Sequence, residues 1–156
     1  MPSPSNGAGV APSVGIENIR TLALVGPMAA GKTLLAEQLL LKSGAITSLG
    51  QLERGSTVSD FDPLEKKAQH SLQAAVMHLD HGGCRVHFID TPGGSDFLGQ
   101  SLPALEAVDT AAIVINAAAG IEPMAVRMMD YAAQRHLDRM IIVNRIDAAG
   151  VNLPAL

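Results

Sequence analysis

Three short runs of residues carry recognisable chemistry, and they occur in order along the chain. The first, Gly26-Pro27-Met28-Ala29-Ala30-Gly31-Lys32-Thr33, fits the pattern G-x-x-x-x-G-K-[ST]. Glycines at its ends let backbone N–H groups curl around phosphate oxygens. Lys32 has the reach to neutralise the β- and γ-phosphates, and the Thr33 hydroxyl is a hard oxygen ligand suited to Mg²⁺. The second, Asp90-Thr91-Pro92-Gly93, offers a carboxylate that organises the water shell of such a metal ion. The Gly93 N–H there is free to sense a terminal phosphate. The third is Asn144-Arg145-Ile146-Asp147. The Asp147 carboxylate matches the ring N–H and exocyclic amine of guanine, two donors that adenine does not present on that edge, so it would select the base. Asn144 is placed to bridge base and phosphate loop, and the aliphatic stem of Arg145 to lie along the purine face.

Each run needs an element that fixes it in space. Thr21 to Val25 is a short apolar segment that reads as a buried strand ending at Gly26. Thr33 to Lys42 reads as the helix after it, with Leu34, Leu35, Leu39 and Leu40 forming an apolar stripe and Glu37, Gln38 and Lys42 outside it. Gly44 is the expected helix stop. Gly50 to Gln69 is polar and without period, and reads as a long mobile loop. Ser71 to Asp80 and Arg85 to Asp90 are strand candidates joined at His81-Gly82-Gly83-Cys84. Thr110 to Ile115 and Met140 to Val143 are two further strands, with a helix from Pro123 to Arg135 between them. Strands alternating with helices predict an α/β fold with a mostly parallel sheet, helices on both faces and one antiparallel pair at the hairpin.

Composition agrees. The 156 residues suffice for one domain, and the 47% hydrophobic share comes mainly from small and branched aliphatics, with no Trp and one Tyr. A net charge of −4 gives no general attraction to DNA or to an anionic membrane. The single Cys84 has no intrachain disulfide partner, which fits a reducing, cytoplasmic setting. No apolar stretch approaches the length needed to cross a bilayer, and the N-terminus lacks a signal-peptide pattern. Residues 1–15, rich in Pro, Ser, Gly and Ala, read as a disordered tail, with one domain over residues 16–156.

The ordered set of motifs resembles the G domain of translational GTPases, nearest to elongation factor G and its paralogues. Glu17-Asn18-Ile19-Arg20 resembles the family's lead into the phosphate loop. Thr57 to Asp62 followed by Glu65-Lys66-Lys67 resembles its first switch, Asp90 to Phe97 its second, and Asn116 to Glu122 the next strand-to-helix junction. The resemblance implies a P-loop GTPase that binds GTP and GDP with Mg²⁺ and works on the ribosome. On that basis residues 26–33, Asp90, Thr91, Pro92, Gly93, Asn144, Arg145 and Asp147 bind nucleotide. Thr33, Ser71 and (through water) Asp90 serve the metal, and Lys32 acts in catalysis.

The departures from the family pattern bear on turnover. The second switch usually reads DTPGH, with a His that positions the attacking water, and Gly94 stands in its place. The first switch usually closes on Arg-Gly-Ile-Thr, where this chain has Ala68-Gln69-His70-Ser71. Pro27 and Ala29 replace the usual His and Asp, which puts monovalent-cation assistance at the Asp position in doubt, and Arg145 replaces a Lys. The family continues past the third motif to a further strand and a Ser-Ala loop backing the guanine, so the sequence reads as a G domain incomplete at its C-terminus. Slow hydrolysis is the expectation, and a nucleotide-dependent binding module without useful turnover is the alternative.

Other clusters read more simply. His78, His81, Cys84 and His87 invite zinc, but their spacing differs from that of common structural zinc sites, and strand-flanking histidines beside a turn suffice. His70 reads as a loop histidine before it reads as a substitute for the water-positioning one. Asp60, Asp62 and Glu65 read as a solvated acidic loop, and Met124, Met128 and Met129 as packing on one helix. A small-molecule P-loop kinase would need a basic lid, which is not visible, and Asn144 to Asp147 argues against it.

Overall fold

The computed structural model describes residues 14–50, 57–59 and 71–155. The N-terminal tail and most of the loop over 50–69 therefore lie outside the described residues, as do Asp60, Asp62, Glu65 and His70.

Among the described residues five strands form one sheet in the order β2-β3-β1-β4-β5. They are β1 (Ile19–Val25), β2 (Ala75–His81), β3 (Cys84–Asp90), β4 (Thr110–Asn116) and β5 (Asp138–Asn144). β1 runs parallel to β3 and β4, and β4 to β5, while β2 and β3 pair antiparallel. Among the described residues three α-helices accompany them: α1 (Lys32–Ser43), α2 (Leu98–Glu106) and α3 (Pro123–Gln134). Among the described residues no helix is long and apolar enough to cross a membrane.

Alternation along the central strands divides the core into two layers. Ala23 and Val25 of β1 and Ala111, Ile113 and Ile115 of β4 face α2 and α3, where they meet Leu105, Met128 and Ala132. Leu24, Ala112 and Val114 face α1 and pack with Ala36, Leu40 and Phe88. Met128 is fully buried, and Met124 and Met129 pack against the same layer. A fully buried aliphatic side chain stabilises by about 1.5–3 kcal/mol, so this doubly covered centre is what holds the strand ends in register.

Three expectations are corrected. The strand read from Ser71 begins at Ala75, and the turn is only Gly82-Gly83, whose positive φ values of 57° and 80° suit a two-residue hairpin turn; His81 and Cys84 close the strands. α2 was not anticipated, because Gly93, Gly94 and Pro103 mask its period, yet it buries Ser101, Ala104 and Leu105. On α1 the buried stripe is rotated: Ala36, Leu40, Lys32 and Glu37 face inward while Leu34 and Leu39 are exposed. Small Ala36 lets the helix approach the sheet, and Glu37 is 1% exposed where solvent was expected. β5 forms an edge of the sheet, where Met140 on the face of Ala112 and Ile141 and Val143 on the face of Ile113 and Ile115 remain largely exposed.

The hairpin also separates the four candidate zinc ligands. His78 lies opposite His87 with ring centroids 5.7 Å apart, and His81 lies opposite Cys84. Odd and even positions of a strand point to opposite faces, so the two pairs stand on opposite sides of the sheet. Among the described residues no three His, Cys, Asp or Glu side chains are arranged to hold a metal ion.

Candidate nucleotide site

The carboxyl ends of β1, β3, β4 and β5 lie along one edge of the sheet, and each delivers a segment singled out by sequence. β1 sits between β3 and β4. The crevice at such a branch point is where open α/β sheets bind ligands.

Gly26 leaves β1 with φ of 135°, and a Cβ there would collide with the carbonyl of Val114, so only glycine fits. The loop then turns through Ala29 (φ 61°) to Gly31, which opens α1. Lys32 is 6% exposed. Its ammonium donates to the Gly26 carbonyl at 3.0 Å and the Pro27 carbonyl at 2.8 Å, folded back beneath the loop. Burial pulls its pKa from 10.5 down to about 8, against the opposing pull of the Asp90 and Glu122 carboxylates. The cation is thus held in a desolvated setting where phosphate oxygens would be strong partners.

Thr33, one residue on, donates its hydroxyl to Asp90 Oδ2 at 2.6 Å and lies 3.3 Å from the Ser71 hydroxyl. Two hydroxyls and a carboxylate gathered in this way are an all-oxygen donor set, the kind a hard divalent cation takes. Asp90 itself is buried at the end of β3. The following residues are pinned: Thr91 donates to the Leu24 carbonyl at 2.8 Å, and Ser101 of α2 donates to the Pro92 carbonyl at 3.0 Å. Gly93 then presses on the phosphate loop, where a Cβ would come within 2.5 Å of Lys32 Nζ and of Met28 N. The Cβ direction at Gly94 leads into the Phe97 ring at 3.0 Å and the Met28 methyl at 3.3 Å.

Asn144 ends β5 and ties the third motif to the first. Its Nδ2 donates to the Ala30 carbonyl at 2.9 Å, and its Oδ1 accepts from Arg145 N at 2.9 Å. Arg145 adopts φ of 57°, turning the chain sharply. A cleft of about 330 Å³ is lined by Met28, Lys32, Thr33, Ser71, Gly93 and Arg145 among others. Asp147 and Arg145 line an adjacent cleft of about 420 Å³ with Gly31, Leu34, Leu35 and Asn144. Phosphate-type and base-type residues therefore occupy neighbouring clefts that share Gly31, Leu34 and Arg145.

Two participants escaped the sequence reading. Glu122, which caps the start of α3, bears electrostatically on Lys32, and Ser101 lies on the unanticipated helix. A phosphate loop at the branch of a mostly parallel sheet, a strand-end Asp hydrogen-bonded to the loop's Thr, and an Asn-Arg-Ile-Asp turn fastened to the loop define a P-loop GTPase domain. Residues 17–155 match the elongation factor Tu GTP binding domain, and the chain belongs to that family.

The chain is 36% identical over 149 residues to an elongation factor G-like protein of Mycobacterium tuberculosis, covering 95% of this chain and 21% of that protein. It is 37% identical over 140 residues to peptide chain release factor 3 of Symbiobacterium thermophilum, covering 86% of this chain and 26% of that one. A crystal structure from Thermus thermophilus superposes with a TM-score of 0.84 at 39% identity, over 88% of this chain and 21% of that chain. The chain thus spans between about a fifth and a quarter of the length of these relatives.

Proposed function

We propose that this chain binds GTP and GDP with Mg²⁺ and turns GTP over slowly, as the nucleotide-binding part of a cytoplasmic translation factor acting on the ribosome. The observation that carries this reading is the Asn144 bond to Ala30, which brings the base-type turn against the phosphate loop. Lys32 would exchange its two carbonyl partners for phosphate oxygens, with the backbone N–H groups of residues 28–33 completing the cradle. Thr33 and Ser71 would hold Mg²⁺, with Asp90 acting through water. Bound there, the ion would neutralise charge on the β- and γ-phosphate oxygens. Asp147 would accept from guanine, and Arg145 would cover the purine.

Gly94 supports slow turnover. It has no side chain to orient water, and the space a side chain would enter is filled by Phe97 and Met28. The same packing favours a second reading, a nucleotide-dependent binding module without useful turnover. Single-turnover GTP hydrolysis, with and without ribosomes, separates the two. Gly94→His displaces only two flexible side chains and is expected to raise the rate on the order of tenfold or more. Ribosome-stimulated turnover by the unsubstituted chain at the rate of an intact factor would overturn the slow-hydrolysis half. No hydrolysis under any condition, with binding retained, would leave the binding module.

A further inference from the structure

Ser101 is a buried hydroxyl to which the proposed chemistry gives no part. It lies on α2, whose next turn buries Ala104 and Leu105 in the core. The helix ends at Glu106, which accepts from the Tyr131 hydroxyl of α3 and pairs with Arg135 just beyond it. Ser101 therefore stands on an element fixed both along its apolar face and at its C-terminus. Its hydroxyl donates to the Pro92 carbonyl at 3.0 Å, and Pro92 is itself buried.

What this bond holds is a peptide unit. The Pro92 carbonyl and the Gly93 N–H share one plane, and among the described residues no peptide bond is cis, so the two groups point in opposite directions. Fixing the carbonyl toward α2 turns the N–H away from α2. On the N-terminal side little else is free to move. Thr91 is held by its bond to the Leu24 carbonyl, and the pyrrolidine ring fixes φ of Pro92, which leaves ψ of Pro92 as the soft torsion. Gly93, on the other side, accepts either orientation of the unit at little cost. Among the described residues the Gly93 N–H donates to no protein acceptor. Gly93 also lines the cleft that holds Lys32 and Thr33, and it borders Lys32 Nζ and Met28 N so closely that no Cβ fits. A donor without a protein partner, on the wall of a cleft with a desolvated cation, suits an anionic oxygen.

We infer that Ser101 is a positioning residue that holds the Gly93 N–H, through the Pro92 carbonyl, for the terminal phosphate of GTP. This rests on the functional reading above and deepens it. Without the hydroxyl, the peptide unit must be turned into place at each binding event, and that ordering is subtracted from affinity. GDP brings no terminal phosphate to this N–H, so the role separates the two nucleotides.

The test compares Ser101→Ala and Ser101→Thr with the unsubstituted chain. Calorimetric titrations use GDP and a non-hydrolysable GTP analogue, both with Mg²⁺. NMR relaxation gives the order parameter of the Gly93 amide in nucleotide-free protein. Ser101→Ala removes one neutral hydrogen bond, which corresponds to about a three- to tenfold loss of affinity for the GTP analogue. GDP affinity should stay within about twofold, because the lost bond touches nothing that would hold GDP. The Gly93 order parameter should fall in Ser101→Ala. Ser101→Thr keeps the hydroxyl and should restore both the order parameter and the affinity for the analogue. A serine that only stabilised the fold would weaken both nucleotides alike, and that result would overturn the role. So would an analogue affinity or a Gly93 order parameter indifferent to Ser101→Ala. If the unsubstituted chain bound neither nucleotide, the functional reading would fall and the role with it. A fault in the role alone shows instead as normal binding that ignores the substitution.

Discussion

Among the described residues Lys32 carries a strongly lowered pKa. Its buried amine titrates near pH 8 rather than 10.5, so in nucleotide-free protein it begins to lose its charge just above neutrality. Between those two values the unfolded chain binds more protons than the folded one, so stability rises with pH across that window. At about 1.36 kcal/mol per unit the full gain is about 3 kcal/mol, absent below pH 8 and complete above 10.5. Nucleotide binding runs the other way. Phosphate favours the charged amine, so above pH 8 each binding event must take up a proton. With a free-state pKa of about 8 the charged fraction falls from about nine-tenths at pH 7 to about one-seventh at pH 8.8, and GDP affinity should fall roughly sevenfold. Calorimetric titrations in two buffers of different ionisation enthalpy count the protons: close to one per GDP at pH 8.8 and close to none at pH 7. The control is Lys32→Arg, whose guanidinium stays charged throughout, so that any fall left in it reports guanine's own ionisation. A GDP affinity that is flat from pH 7 to 8.8, or that falls equally in Lys32→Arg, would refute the reasoning.

Two further outcomes follow from neighbouring groups. Glu122→Gln removes a carboxylate that raises the Lys32 pKa, so the midpoint of the affinity-against-pH curve should move below 8, read from the same titrations. Asn144→Ala breaks the bonds to Ala30 and from Arg145, and urea unfolding should show a loss of about 1–3 kcal/mol together with weakened GDP binding.

The strand-end edge that carries the candidate site was legible in the sequence because each motif sits where an apolar strand must end, and phosphate loops tolerate few substitutes for glycine. Gly26 shows why: its φ of 135° and its approach to Val114 leave room for nothing else. The mostly parallel sheet followed from the alternation of strands with helices, and its one antiparallel pair from the hairpin. What escaped was of two kinds. α2 is short and carries Pro103 directly after a Gly-rich turn, so local pattern is silent and tertiary packing of Leu105 and Ala104 decides. Glu37 looked solvated because α1 has more leucines than its buried face uses; which stripe turns inward depends on the close fit of Ala36 and on amides brought in from residues 50 and 58. Long-range partners of that sort leave no mark on local spacing. Glu122 escaped for the same reason, since its influence on Lys32 exists only once β4 and β1 lie side by side.

The central claim is that the Asn144-to-Asp147 turn selects guanine at a phosphate loop. Calorimetric titration of the chain with GDP and with ADP in Mg²⁺, repeated on Asp147→Asn, tests it most directly. The account predicts binding of GDP well above that of ADP, with GDP weakened by the substitution and ADP unaffected. Equal affinity for the two nucleotides, or a GDP affinity indifferent to Asp147→Asn, would contradict it.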